Sequence, residues 1–373
     1  MNNQQREMVD GAAAIARGAL NAGCNYYAGY PITPASGILS HMLRELPKIG
    51  GIGFQGEDEI SSLGHCIGAA MAGATVFTAT SGPGLSLYSE NLGLAIMMEV
   101  PIVIAISQRL GPSTGAATAS AQGDIQFMRW GTTGGYPMIV LSPTNISESY
   151  HLTKRAFKLA ERFRTPVFLA SDKDTVMTTE SVSVHDMEHT PDWPEIPNGV
   201  IGKKLDPYRV DGPIHHYTGS SHNDEGHITK DPDIIATLNE RLRMKIESNL
   251  DELSLVKSDL EAGADTLMVS YGVSARSMEA AVNEIRNVGN KVSSMTIYSL
   301  WPIPEKAIKN NLKGIKRVIV PEMNHGQYLR EIERLVDRNV ELVGINRVDT
   351  ILITPEEITG AYYGRKKIRY LYC

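Results

Sequence analysis

The sequence predicts an α/β protein built from two such units in 373 residues. Three observations carry this reading. Short apolar runs alternate with segments of helical period through the first 180 residues, the pattern of a parallel sheet covered by helices on both faces. From about residue 180 to 232 that pattern dissolves into Pro, Gly, His and Asp, which reads as a linker or excursion. It resumes at Thr266 as a second β/α unit. A length equal to roughly two typical domains agrees. The boundaries are set at 1–190, 191–262 and 263–373.

The elements follow in order. Residues 6–22 read as a helix, with Ala12, Ile15, Ala16, Ala19 and Leu20 at helical spacing. The apolar run 26–30 leads into Gly29-Tyr30-Pro31-Ile32-Thr33-Pro34, where Thr33 reads as an N-cap and Pro34 as the first residue of a helix reaching Leu46. A helix is expected over 57–73 and a strand over 75–80. The turn Ser81-Gly82-Pro83-Gly84 then opens a helix to Met98. Strand 102–107, a polar loop over 108–122, strand 138–141, helix 146–163 and strand 166–170 complete the unit. Residues 233–261 read as one amphipathic helix bridging the units. The second unit comprises strand 266–270, helix 275–288, strands 291–297 and 317–321, and helix 327–336.

Composition narrows the function classes. Hydrophobic residues at 42% and charged residues at 21% are ordinary for a globular protein and exclude a disordered chain. The 36 basic and 42 acidic residues leave a net charge of −6, so no basic field points to nucleic acid or a membrane surface. No apolar run approaches the roughly 18 residues of a membrane span. The start, MNNQQREMVDG, lacks a signal-peptide apolar region, so the expected location is the cytoplasm. Cys24, Cys66 and Cys373 are scattered and odd in number, which fits a reducing compartment. Without a C-x-x-C, this chain alone cannot hold a four-cysteine iron–sulfur cluster or a structural zinc.

Four segments could carry chemistry. Gly82-Pro83-Gly84 follows a strand and precedes a helix, but Leu87 stands where a dinucleotide fingerprint needs its third glycine. Ala79 likewise denies Ser81 a nucleophile elbow. A tight turn bringing backbone close to a ligand is the better reading. His215, His216, His222 and His227 fit a solvated loop better than a metal site, which needs ordered partners behind its ligands. Glu57-Asp58-Glu59 opens an apolar helix. Dipole complementation explains Glu57 or Asp58. Glu59, however, begins the stripe Leu63, Cys66, Ile67 and Ala70, where a desolvated carboxylate is suited to sharing a proton with a ligand. Finally, Arg109 lies in the loop beyond strand 102–107, where open α/β sheets bind ligands. Its guanidinium can grip a carboxylate bidentately, and Thr33, in another such loop, can share that anion. A surface ion pair and a plain helix cap are the simpler roles of Arg109 and Thr33, and their shared location weakens both.

These segments together resemble the α subunit of 2-oxoacid:ferredoxin oxidoreductases. The resemblance rests on Gly29-Tyr30-Pro31-Ile32-Thr33-Pro34-Ala35-Ser36, Glu57-Asp58-Glu59-Ile60, and Thr80-Ser81-Gly82-Pro83-Gly84-Leu85-Ser86-Leu87. It continues in Gln108-Arg109-Leu110-Gly111-Pro112-Ser113-Thr114-Gly115 and in Pro321-Glu322-Met323-Asn324-His325-Gly326-Gln327. It spans nearly the whole chain. It implies a thiamine diphosphate pyrimidine-binding domain followed by a transketolase C-terminal-like domain. It also implies oxidative decarboxylation of a 2-oxoacid with CoA to an acyl-CoA and CO2, with ferredoxin as electron acceptor. By that resemblance Glu59 hydrogen-bonds the cofactor's aminopyrimidine N1′, favouring the imino tautomer that takes the proton from the thiazolium C2. Thr33, Arg109 and Thr114 bind substrate, Arg109 at its carboxylate. Pro31, Ile32, Ser81 and Gly82 join Glu59 in holding the cofactor.

Two positions depart from the family pattern: Gly37 where Glu is frequent, and Leu110 where Gly is frequent. The Gly-Asp-Gly diphosphate motif and the cluster cysteines are also lacking in this chain. The resemblance therefore places Mg2+ and [4Fe-4S] clusters on partner subunits and has thiamine diphosphate shared with a β subunit. Separate γ and ferredoxin-like δ subunits are further expected partners, and external ferredoxin takes the electrons. The substrate reading is 2-oxoglutarate, giving succinyl-CoA, in a reaction reversible as a carboxylation. Branched-chain 2-oxoacids and pyruvate are the alternatives. A non-catalytic transketolase-like binding module is the alternative of a different class.

Overall fold

The computed structural model describes residues 5–204, 206–209, 211–212 and 215–364; Cys373 lies outside them. Its strands are β1 (Arg6–Asp10), β2 (Tyr26–Gly29), β3 (Ile52–Gln55), β4 (Val76–Thr80), β5 (Ile102–Gln108), β6 (Ile139–Leu141) and β7 (Pro166–Asp172). They continue with β8 (Thr179–Ser183), β9 (Val256–Asp259), β10 (Thr266–Ser270), β11 (Ser293–Ile297), β12 (Ser299–Trp301), β13 (Arg317–Glu322) and β14 (Glu341–Asn346). The first sheet runs β12-β6-β7-β5-β4-β2-β3 and is parallel except for β12, which pairs antiparallel with β6. The second runs β14-β13-β10-β11-β9, parallel with an antiparallel edge at β9. A ribbon of β1 and β8 stands apart.

Both faces of the first sheet are covered, so β4, β5 and β7 are buried along their whole length. This is why they read as near-continuous apolar runs. Leu63, Leu92 and Ile96 pack on one face; Ile15, Ile38 and Phe157 pack on the other. The first of these cores runs on through Val269, Tyr271, Trp301 and Tyr328 of the second unit, so the two units share apolar burial. The helix Ile146–Phe163 has the expected bounds. Asn145 caps it by accepting from the Glu148 amide at 2.9 Å.

Several other elements differ from their expected bounds, two of them because a strand pairs far along the chain. Residues 6–10 form β1 against β8, and the helix starts only at Gly11, capped by Asp10 through the Ala13 amide at 2.7 Å. Thr33 is not an N-cap. The helix is Ser36–Glu45, with Ala35 at the cap position and no side-chain cap bond; the Ile32 carbonyl accepts from Ser36 N at 2.9 Å to close the preceding turn. The expected helix 82–98 breaks at Tyr88 into Gly82–Leu87 and Ser89–Met97. The expected helix 233–261 is Pro232–Glu247, a short turn Leu250–Leu253 and then β9, drawn into a strand by pairing with β11. Helix 327–336 shortens to Leu329–Glu333.

The excursion is fastened to the first unit. Arg155 donates to the Pro194 carbonyl at 2.7 Å, and the Trp193 ring packs against His151 and Tyr298. Buried Glu99 accepts from Lys203 N at 3.1 Å, Lys245 Nζ at 2.9 Å and Arg241 Nη1 at 2.6 Å, pinning the bridging helix. Burial pushes the Glu99 carboxyl up, and the two cations outweigh it, holding it below the ordinary range. Among the described residues no helix is long and apolar enough to cross a membrane.

Candidate active site

The carboxyl ends of β5, β4, β2 and β3 are neighbours in the first sheet. Each feeds one of the segments singled out from the sequence: Arg109 after β5, Ser81–Gly84 after β4, Pro31–Thr33 after β2 and Glu59 after β3. Parallel strands emerge on one side, so this convergence is a consequence of topology.

Glu59 opens the helix Glu59–Met71. Asp58 caps it, accepting from Ser61 N at 2.7 Å in a reciprocal capping box. Glu57 and Asp58 are exposed and Glu59 is buried, at 6% exposure, so only the third acid turns inward. It lies against the turn after β4. A Cβ added at Gly84 would stand 2.0 Å from Thr80 Oγ1 and 2.8 Å from Glu59 Oε1, so glycine is required for this approach. The Glu59 carboxylate has no hydrogen-bond donor among the described residues. Buried beside this turn, Thr80 Oγ1 and Ser81 Oγ have no partner among the described residues either. Tyr88 OH, within 3.0 Å of Thr78 Oγ1, is pushed up by its burial.

Arg109 is buried. Its Nη1 donates to the Thr33 carbonyl at 2.5 Å and its Nη2 to the Thr114 carbonyl at 3.1 Å, while Nε has no partner among the described residues. Thr33, Arg109 and Thr114 therefore meet, but through main-chain oxygens. Arg109 and Gly82 line a cavity of about 670 Å³, together with Asp124 from the loop and Asn324, His325 and Gln327 from the second unit. Leu110, the family departure, lines it too. Pro31 is exposed and Ile32 packs half-buried onto the core; neither lines this cavity. Gly37, the other departure, has a local cause: a Cβ there would stand 2.9 Å from Ala12 Cβ, where two helices touch.

Asp124 escaped the sequence reading. Its Oδ2 is buried without a donor, and a Cβ on Gly82 would stand 3.0 Å from its Oδ1. Burial pushes its carboxyl up to about 6 against the pull of Arg109. The available signal was its place, fifteen residues beyond Arg109 in the same loop, where nothing local marks burial.

The second unit closes the site through Pro321–Gln327. Gln122 N donates to the Met323 carbonyl at 2.8 Å, Asn324 Nδ2 to the Gln122 carbonyl at 2.8 Å, and Gln327 Nε2 to the Gly123 carbonyl at 2.7 Å. Behind them Glu322 accepts from the Tyr328 and Leu329 amides at 3.0 and 2.9 Å and from Tyr271 OH at 3.0 Å. Asp172 accepts from Val273 N at 2.5 Å and sits against Gly272; its burial pushes its carboxyl up to about 7.

Comparison with known proteins identifies the family. Residues 17–239 match the family model described as pyruvate flavodoxin/ferredoxin oxidoreductase, thiamine diphosphate-binding. Residues 264–358 match pyruvate:ferredoxin oxidoreductase core domain II. The chain is 38% identical over 367 residues to the 2-oxoglutarate synthase subunit KorA of Methanocaldococcus jannaschii, covering 96% of this chain and 99% of that one. It is similar to the structure of 2-oxoglutarate:ferredoxin oxidoreductase from Magnetococcus marinus with 2-oxoglutarate, coenzyme A and succinyl-CoA bound, with a TM-score of 0.89 and 28% identity. That match covers 98% of this chain and 66% of the other. A split-gene transketolase, described as an inactive β4 tetramer, shares the fold alone, with a TM-score of 0.54 at 12% identity over 96% of this chain and 97% of that one. The two family models over most of its length and a 38% identical relative matched nearly end to end place the chain in the 2-oxoacid:ferredoxin oxidoreductase family, on the α-subunit side.

Proposed function

We propose that the chain is the α subunit of a thiamine diphosphate-dependent enzyme. It oxidatively decarboxylates 2-oxoglutarate with CoA to succinyl-CoA and CO2 while reducing ferredoxin. The observation that carries this reading is Glu59: a buried, donor-free carboxylate pressed onto Gly84, one loop away from a cavity lined by Arg109. The residues fit the aminopyrimidine end of thiamine diphosphate. Glu59 supplies an acceptor for a ring N–H, and the unpartnered Thr80 and Ser81 hydroxyls supply polar contacts beside it. When bound, the cofactor supplies an electron sink for the carbon that loses CO2.

The chain's own residues do the rest. Glu59 holds the proton at the pyrimidine N1′ in a setting where no donor among the described residues competes for its carboxylate. Arg109 has N–H capacity left after its two carbonyl bonds, and it orients the substrate carboxylate from the cavity wall. Those carbonyl bonds, from Thr33 and Thr114, fix the guanidinium plane so that little ordering is needed on binding. Asn324 and Gln327 hold the second unit over the cavity and exclude water. The diphosphate, Mg2+ and the [4Fe-4S] electron path fall to a β subunit, with γ and δ subunits as further partners, in the cytoplasm.

The test uses the assembled complex with a viologen acceptor. Glu59→Gln should lower 2-oxoglutarate turnover by about 10²-fold or more with assembly intact, whereas Glu57→Gln should leave it unchanged. The reverse pattern would overturn the role of Glu59. A higher kcat/KM for 3-methyl-2-oxobutanoate or pyruvate than for 2-oxoglutarate would overturn the substrate.

A further inference from the structure

The opposite, amino-terminal ends of β4 and β5 open into a second cavity, of about 520 Å³. This lies in the size range of sites for small organic ligands. Its floor is apolar, formed by Val76, Val103 and Phe157. Residues 196–200 of the excursion form its outer wall. That wall is anchored: Arg162 Nη1 donates to the Asn198 and Gly199 carbonyls at 3.2 and 3.1 Å, and Ile201 N donates to the Arg162 carbonyl at 2.7 Å.

The charge at this cavity is one-sided. Lys154, Lys158 and Arg162 are spaced four residues apart on one helix, so they form one stripe facing it. Arg162 is neutralised by Glu252, with Nη2 to Oε2 at 2.8 Å. The one carboxylate on the lining, Glu161, is engaged by Arg164 at 3.1 Å. Lys154 and Lys158 have no acidic partner among the described residues. The Lys154 ammonium instead stands 5.2 Å over the Tyr150 ring. Two unpaired cations above an apolar floor match a molecule with an acidic head and an apolar body.

We propose that this cavity is a binding site for an organic anion. Its carboxylate, sulfonate or phosphate lies between Lys154 and Lys158, and its body rests on Val76, Val103 and Phe157. The site is independent of the cofactor reading, since it lies at the other ends of the strands.

The assembled complex, saturated with thiamine diphosphate, is titrated with 8-anilinonaphthalene-1-sulfonate and followed by fluorescence. One saturable site per α chain is expected. The double variant Lys154→Glu/Lys158→Glu should raise Kd at least tenfold with 2-oxoacid turnover unchanged. N-phenyl-1-naphthylamine, the same body without the sulfonate, should bind equally to both proteins. Raising ionic strength should weaken the sulfonate in the parent protein. Equal sulfonate affinity in parent and variant, or no saturable site on the complex, would overturn the proposal. If the double variant melts early, single Lys158→Gln carries the same test, at an exposed position, with at least a threefold rise in Kd expected.

Discussion

The molecule presses a glycine against a buried carboxylate in two places. At the end of β4, Gly84 meets Glu59; at the junction of the units, Gly272 meets Asp172, where an added Cβ would stand 2.4 Å from Oδ2. The two carboxylates are treated differently. Asp172 accepts from the Val273 amide, and its neighbour Glu322 accepts from two further amides and a phenol. Among the described residues Glu59 accepts from nothing, and Thr80 Oγ1 and Ser81 Oγ beside it lack partners, as do Arg109 Nε and Asp124 Oδ2 in the adjoining loop; at the junction Tyr328 OH, and Ser171, Asp174 Oδ2 and Thr175 around Asp172, lack them too. A buried polar group without a partner costs about 1–3 kcal/mol. The difference lies in the carboxylates: those of the junction are satisfied by main-chain and phenol donors, and under the proposed function the Glu59 carboxylate is the one left for a ligand.

Deleting acceptors should separate the two regions most clearly. Glu322→Ala strands the buried Tyr328 amide, the partly buried Leu329 amide and the Tyr271 hydroxyl, so it should destabilise the fold by about 3–5 kcal/mol. Thermal or urea unfolding of the chain would measure this. A loss below about 1 kcal/mol would mean that the junction is not where stability is concentrated.

Asp124 tests the other side. Its folded carboxyl titrates near 6, raised by burial from an ordinary value of 3.8. The folded state therefore favours the protonated acid. This group's contribution is fully favourable below pH 4, declines as pH rises toward 6, and is lost above that. The displacement is worth up to about 3 kcal/mol. Asp124→Asn carries no charge to bury, so it should be more stable than the parent at pH 8 by up to that amount, and the gap should close near pH 4. Unfolding at the two pH values decides. A gap independent of pH would show that Asp124 is solvated or paired.

Arg109→Ala should act on binding. Loss of a charged hydrogen bond is worth about 1.5–3 kcal/mol, so KM for the 2-oxoacid should rise roughly ten- to a hundredfold, and more than KM for CoA. Equal rises would mean that Arg109 supports the loop instead of the substrate.

How much of this was legible depends on where each signal resides. Strand 266–270 and helix 146–163 announce themselves within their own residues, by an unbroken apolar run and by a cap with a helical stripe. β1, β3 and β12 do not. β12 leaves the second unit to pair with β6, and β1 finds β8 across 169 to 177 residues, so their identity belongs to partners that no local window contains. The same division holds at the site. Glu59 was legible because helical geometry allows only one of three adjacent acids to face the stripe. Asp124 was not, because its burial is imposed by the Gly82 turn and by Arg109. The Pro321–Gln327 motif was visible as a pattern, but its main-chain bonds to residues 122–123 emerge only once both units are in place.

The smallest predicted effect is the most direct comparison. Tyr271→Phe and Thr80→Val each remove one buried hydroxyl and keep the side chain's shape. Tyr271 OH donates to Glu322 and accepts from Asn324 Nδ2 at 2.8 Å, so the phenylalanine leaves two buried groups short and should lower stability by about 1–2 kcal/mol. Thr80 Oγ1 bonds to nothing among the described residues, so the valine should be neutral or slightly stabilising for the chain alone. In the complex, however, it should weaken retention of thiamine diphosphate, seen as faster loss of the cofactor on gel filtration. If both variants destabilised the isolated chain equally, the donor-free cluster beside Glu59 would be an ordinary part of the core, and the contrast between a closed junction and an open site would fail.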